Sequence, residues 1–265
     1  MNFRTIDMLR QLNNTFYRRC AESFSVTRQT PWEGWRACLP YLREACRDDG
    51  AGGCALRLVD VACGNGRFET FLAEELPSVS ADVVAADSCS ALMEKTQALQ
   101  VSFRSFDALE ALVRNEAWSA SLPACDAAVS FGFFHHIPSN ELRKRALNEL
   151  LSLVRPGGVA IVSLWCFLED ERLARKALRT HEQALAALAN AREAEPAFLA
   201  DELEPGDCFL GWQDADDLWR YCHSFDDAQA AELACAVSGE ADEVARFRSD
   251  GKSGKLNIYL VLRKH

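Results

Sequence analysis

A doubly wound, mostly parallel α/β sheet is the fold this sequence predicts, and three observations predict it. Short apolar runs alternate with stretches of helical spacing from residue 56 to residue 165. The first run breaks into a tight turn with glycines at 64 and 66. The last, 159–165, is apolar almost throughout, as in the centre of a parallel sheet covered on both faces.

Each element follows in order. Residues 56–61 form a strand after the Gly-rich stretch 49–53, and 68–76 have helical spacing with apolar Phe68, Phe71 and Leu72. A second strand, 82–86, ends in Asp87, and a helix over 90–99 follows it. Alternation makes 101–106 a third strand, ending at Asp107 and Ala108. The fourth runs from Cys125 to Phe131. Residues 140–154 then carry Leu142, Ala146, Leu147, Leu150, Leu151 and Val154 on one side of a helix, which Arg155-Pro156-Gly157-Gly158 stops. A helix over 169–194 and another over 226–237 follow. Near the end, 243–249 and 256–263 flank Asp250-Gly251-Lys252-Ser253-Gly254 and read as an antiparallel hairpin.

The chemistry concentrates in Val59-Asp60-Val61-Ala62-Cys63-Gly64-Asn65-Gly66-Arg67-Phe68, a strand that ends in an acid and breaks into a two-glycine turn. Gly64 and Gly66 let the backbone approach a ligand that a Cβ would block. A dinucleotide fingerprint places a third glycine three residues on, where this chain has Glu69. A carboxylate aimed at a pyrophosphate repels it, whereas Asp60 suits a cationic or amine-bearing ligand. Asp87 lies 21 residues past Gly66, at a strand tip, where a carboxylate offers paired acceptors to two vicinal hydroxyls. Asp87 with Ser88, and likewise Asp107, also fit the plainer role of helix or loop cap.

The pattern Asp-x-x-Cys-Gly-Asn-Gly resembles the first motif of class I methyltransferases that use S-adenosylmethionine (SAM), with Ala62 in place of their usual first glycine. That resemblance implies a seven-stranded Rossmann-like sheet closed by the antiparallel hairpin. It further implies SAM as cofactor, held by Asp60, Ala62, Gly64 and Gly66, by Asp87 and Ser88 at the ribose, by Asp107 and Ala108 at the adenine, and by Phe131. Arg28, a charged fork before Pro31, suits the methionine carboxylate or an acidic substrate.

The resemblance narrows elsewhere in the chain. Phe24-Ser25-Val26-Thr27-Arg28 with Pro31-Trp32, Phe133-Phe134-His135-His136-Ile137, Arg155-Pro156-Gly157-Gly158 leading into Leu164-Trp165, and Arg220-Tyr221-Cys222-His223 are similar to the tRNA wobble-uridine carboxymethyl methyltransferases. That family methylates the carboxylate of 5-carboxymethyluridine and, in eukaryotes, works with a small zinc-binding activator. It usually has a second Tyr where Cys222 stands. The substrate side is expected from what is added to the scaffold: an N-terminal helical cap over 1–48 and a helical insert at about 166–225 within a methyltransferase domain spanning 49–265. Arg220, His223 and His135 are the candidate catalytic groups, since a hydroxyl or amine acceptor needs a base and His titrates near neutrality.

Composition bounds the alternatives. The chain has 265 residues, is 49% hydrophobic and carries a formal charge of −10, which disfavours gripping a phosphate backbone unaided. Basic clusters at Arg143, Lys144 and Arg145, at Arg172, Arg175, Lys176 and Arg179, and at Arg246 and Arg248 offer local patches. Eleven cysteines, with no Cys-x-x-Cys, suggest reduced thiols in a cytosol and no metal site. The N-terminus reads as no signal peptide, and no run reaches the apolar length of a membrane span. Three functions stay open: a tRNA carboxyl methyltransferase, a small-metabolite methyltransferase, and a SAM-binding protein without turnover.

Overall fold

The computed structural model describes residues 1–27, 29–48, 53–93, 101–190, 200–213 and 215–265. Its centre is a sheet in the order β4(Ser102–Ser105), β3(Val79–Asp87), β2(Cys54–Val61), β5(Cys125–Ser130), β6(Val154–Trp165), β10(Asn257–Lys264), β9(Ala241–Ser249). The first five of these are parallel, and β10 runs antiparallel to both β6 and β9. The seven-stranded sheet and its closing hairpin are therefore present. A two-residue strand, β1(Arg47–Asp48), adds an antiparallel pair to the start of β2.

Helices cover both faces. On one, α2(Glu33–Ala45) and α3(Arg67–Glu75) bury Trp35, Leu39, Leu42, Phe68, Phe71 and Leu72 against Leu58, Val129 and Ile161. On the other, α5(Ala108–Val113), α6(Asn140–Leu153) and α8(Asp227–Ala236) bury Leu112, Leu147, Leu150, Leu151 and Leu233 against Val59, Ala128 and Val162. This two-sided burial is why β5 is buried at every position and reads as an apolar run. Asp226 starts α8 with a capping box, its side chain accepting from Gln229 N at 2.8 Å. The helix expected over 90–99 appears as α4(Ser90–Met93), and its remaining positions lie outside the described residues.

Four expectations change. Helix α2 lies within the expected cap over 1–48 but packs on a face of the sheet, with Trp35, Leu39 and Leu42 buried against the strands. Strand β6 begins at Val154 rather than after the glycines: Arg155 bonds Asp126 at 2.6 Å and Ala45 O at 2.9 Å, which holds that stretch extended. Cys46 and Cys54 form a disulfide, since the β1–β2 pairing brings their Cα atoms to 5.7 Å, so not all eleven cysteines are reduced thiols. The segment 166–225 is not simply helical. After α7(Glu171–Asn190) it folds into an antiparallel ribbon, β7(Asp207–Trp212) with β8(Ala215–His223).

The N-terminal segment is the 24-residue helix α1(Phe3–Val26), started by Asn2, whose side chain accepts from Thr5 N. It crosses the mouth of the sheet and packs on β8, α4 and α5. No helix among the described residues is long and apolar enough to cross a membrane.

Candidate active site

A cavity of about 1130 Å³ opens beyond the carboxyl ends of β2, β3 and β5. The sheet order reverses between β2 and β5, and such switch points leave a crevice between oppositely placed connections. Ala62, Cys63, Gly64, Asn65, Asp87, Ser88, Asp107, Ala108 and Phe131 all line it. Strand twist and short connections bring together residues up to 69 positions apart in sequence, and that convergence is what their spacing predicts.

The turn has the geometry of a cradle. Gly64 has φ +61°, and a Cβ placed there would meet nothing within 4 Å, so open cavity lies directly over its backbone. Ala62 takes φ +65° where the related motif has glycine, a left-handed conformation that costs an alanine roughly 1 kcal/mol. Asp87 fixes the turn: its Oδ2 accepts from Gly64 N at 2.9 Å and its Oδ1 from Cys89 N at 2.8 Å. Cap and ligand reading are thus compatible, because a carboxylate has about four acceptor positions and two remain. Burial raises the Asp87 pKa from its ordinary value.

At the far end Asp107 also caps, taking Glu110 N at 2.9 Å on Oδ1. Its Oδ2 accepts from Arg10 Nη1 at 3.3 Å and Asn14 Nδ2 at 3.1 Å, so α1 closes over this end. Asn65 Nδ2 donates to Ser25 Oγ at 3.2 Å and ties α1 to the glycine turn. Arg28 lies outside the described residues.

Asp60 and Gly66 do not line the cavity. Gly66 precedes α3 in the left-handed conformation. Asp60 points below the turn toward Glu69, each only 2% exposed. Glu69, therefore, does not face a ligand as its spacing suggested. Apart from each other, Asp60 Oδ1 and the two Glu69 oxygens have no side-chain partner among the described residues. Burial first, and then the neighbouring carboxylate, push Asp60 well above its ordinary value, while burial lifts Glu69 to about 7. Two carboxyls in one dry pocket hold at most one charge and share a proton. A raised folded pKa contributes stability that is complete below about pH 4.5 and lost as pH climbs through about 7. Glu69→Gln is accordingly expected to exceed the native chain in stability at pH 8, by at most about 3 kcal/mol, with the gap closing toward pH 4.5. Urea melts at the two pH values check this, and a gap independent of pH would contradict it.

The second half of the cavity is aromatic and cationic. Tyr17, Phe24, Trp32, Phe133, His135, His136, Trp165 and Arg220 line it. Arg220 is 5% exposed, with its guanidinium 5.1–5.9 Å from the rings of Phe16, Phe24, Trp165 and Trp212. Its polar contact is Tyr17 Oη at 3.2 Å, its Nε has no partner, and no acid among the described residues pairs with it. Arg67, over Trp32 and Trp35, donates to Thr30 O at 2.8 Å, and burial pushes its pKa down to about 10.

The histidines divide by strand alternation. His135 and His136, on the turn after β5, both line the cavity. His223 does not: on β8 it faces the side opposite Arg220, fully buried, with Nδ1 2.7 Å from Asp207 Oδ1. That side is a polar network in which Tyr221 Oη donates to Asp207 at 2.7 Å and Arg143 bonds Glu204 at 2.5 Å. His135, His136 and Cys222 bring one ligand-capable atom each within 4.8 Å of one another. Both ring nitrogens of His136 are already engaged, by Tyr17 and by the Tyr221 carbonyl. Sequence reasoning passed over Tyr17 and Asn13. Their helical spacing gave only a face, not the destination of that face.

The basic clusters also divide. Arg143 is buried against Glu204, Lys144 pairs with Glu232, Arg246 with Glu243, and Arg248 with Glu169 and Asp227. Arg172, Arg175, Lys176 and Arg179 stay exposed along α7.

Residues 58–158 match the family described as Methyltransferase domain. A SAM-dependent methyltransferase from Methanosarcina mazei superposes with a TM-score of 0.57 at 15% identity, covering 86% of this chain and 96% of that one, which establishes the fold. Residues 58–158 thus carry a methyltransferase domain, on a fold shared with SAM-dependent methyltransferases. The chain is similar to the tRNA (carboxymethyluridine(34)-5-O)-methyltransferases. It is 30% identical over 154 residues to ALKBH8 of Macaca fascicularis, covering 58% of this chain and 20% of that protein. It is 26% identical over 153 residues to the Saccharomyces cerevisiae enzyme, covering 56% and 46%. The chain thus spans between a fifth and a half of the length of these relatives.

Proposed function

We propose that this chain methylates a carboxylate, and that the acceptor is the carboxymethyl side chain of a wobble uridine in tRNA. The observation that carries this reading is Arg220: a buried cation, walled by four rings, with no acid beside it among the described residues, at the wall of the same cavity as the glycine turn. A desolvated guanidinium is costly without an anion, and a planar carboxylate matches its fork. Similarity to relatives named for that reaction supports it.

When bound, SAM supplies an activated methyl. In this reading the turn 62–66 and Phe131 hold it, Asp87 and Ser88 take the ribose, and Asp107 with Ala108 takes the adenine in company with Asn14. Arg28 takes the methionine carboxylate. Residues 1–48 act as the cap and 166–225 as the acceptor-side insert. Arg220 orients the acceptor, and the aromatic walls exclude water. Both effects lower the barrier by placement in a dry site. A carboxylate acceptor arrives ionised and asks nothing of a base.

The exposed cations of α7 support contact with a phosphate backbone, and a small activator protein would extend that surface. The formal charge of −10 favours a second reading, a small carboxylic acid as acceptor. Labelled SAM, purified chain and cell extract, with and without RNase, separate the two. Label is expected in tRNA and to vanish with RNase; RNase-resistant label in small molecules would reject the tRNA reading.

A further inference from the structure

Tyr17, His136 and the backbone of Tyr221 form a line of three groups that a carboxylate acceptor does not require. Tyr17 Oη lies 2.7 Å from His136 Nε2, and His136 Nδ1 lies 3.0 Å from Tyr221 O. The protonation of the ring follows from its neighbours. Asn13 is fixed by accepting from Tyr221 N at 2.7 Å on Oδ1, so its amide nitrogen donates to Tyr221 O at 3.1 Å. His136 Nδ1 sits 3.0 Å from the same carbonyl, which suits an N–H and repels a lone pair, while the Asn13 amide, 3.3 Å from Nδ1, already directs a hydrogen at that carbonyl. Nε2 is therefore the acceptor, and the Tyr17 hydroxyl donates to it. With its hydrogen turned toward His136, the phenol oxygen accepts from Arg220 Nη1 at 3.2 Å, and Tyr17 lines the cavity.

We infer that Tyr17 and His136 form a proton relay, and that the site therefore serves a further acceptor class: an O–H nucleophile that arrives protonated, such as a hydroxyl on the same kind of base. The arrangement is that of a hydroxyl activated by an imidazole whose far N–H is held by an oxygen. In the step, the acceptor O–H breaks and its proton goes to Tyr17 Oη, as Tyr17 passes its own proton to His136 Nε2. The freed pair forms the O–CH₃ bond while the carbon–sulfur bond of the sulfonium breaks with its electrons on sulfur. The imidazolium then returns its proton to solvent. Arg220 stabilises negative charge on the phenol oxygen, and the Tyr221 carbonyl stabilises the imidazolium. His136 meets Tyr17 and Asn13 from α1, Cys222 from β8 and His135 from its own turn, with Arg220 one bond further on.

This inference rests on the reading that the acceptor enters beside Arg220, and the two fail separately in one experiment. Anticodon stem-loop RNAs carrying either 5-carboxymethyluridine or 5-hydroxyuridine are offered with SAM to the native chain and to Tyr17→Phe. The hydroxyl probe is expected to be methylated, with Tyr17→Phe lowering that transfer about 100-fold more than transfer to the carboxylate probe. Nitrogen-15 spectra of His136 without cofactor are expected to show the Nδ1–H tautomer, with an Nε2 shift that changes in Tyr17→Phe. No transfer to the hydroxyl probe, equal losses on both probes, or an Nε2–H tautomer each overturn the relay. A carboxylate probe left unmethylated rejects the preceding proposal instead.

Discussion

Arg220→Met is expected to abolish most methyl transfer to a carboxylate acceptor while leaving the protein at least as stable as before. The guanidinium meets no acid among the described residues, so its removal orphans no partner charge; only Tyr17 Oη loses a donor. Methionine fills a similar volume among Phe16, Phe24, Trp165 and Trp212 and spares the cost of burying a charge. A truncated buried charge pair costs about 2–5 kcal/mol, which places the loss in kcat/KM at roughly 30- to 4000-fold. The signature is a split: kcat/KM for the acceptor collapses, the affinity for SAM holds within about twofold, and thermal midpoints do not fall. An unfolded variant, or one with full activity, would remove Arg220 from the acceptor's anchor.

Asp87→Ala is expected to weaken SAM binding by about 1–3 kcal/mol, or roughly 5- to 150-fold, in calorimetry. Two causes add. On the proposed reading the ribose hydroxyls lose their acceptors, and Gly64 N and Cys89 N lose the carboxylate that holds the turn in shape. Asp87→Asn separates the two, since its amide retains one acceptor oxygen and turns the other position into a donor facing a backbone N–H. Its affinity is expected to lie between the two. Equal affinity in all three chains would show that the acid only caps the helix that follows.

The scaffold was legible because every strand of the sheet is a short run bounded by a turn signal, and β6 and β10 are apolar enough to announce two covered faces. The meeting of the glycine turn and Asp87 was legible for a related reason. Gly64 and Asp87 sit at strand ends, and strand ends of a parallel sheet converge whatever the helices do. Glu69 shows the limit: its spacing placed a carboxylate near the ligand, but spacing carries no information on direction, and the side chain turned inward to Asp60. Cys46 and Cys54 show another, since only the β1–β2 pairing brought them together.

The sequence alone determined the α/β sheet, the turn at 62–66 and the acid 21 residues beyond it, because these depend on contacts local to each strand and its loop. Tertiary structure alone decided that His223 belongs to a buried network with Asp207, and that Tyr17 from the first helix reaches His136 and Arg220 more than 100 residues away. The reason is physical. A strand's period says which residues share a face, but which face meets the cavity is set by packing of the β7–β8 ribbon between α1 and α7, and that packing is written in no single stretch of chain.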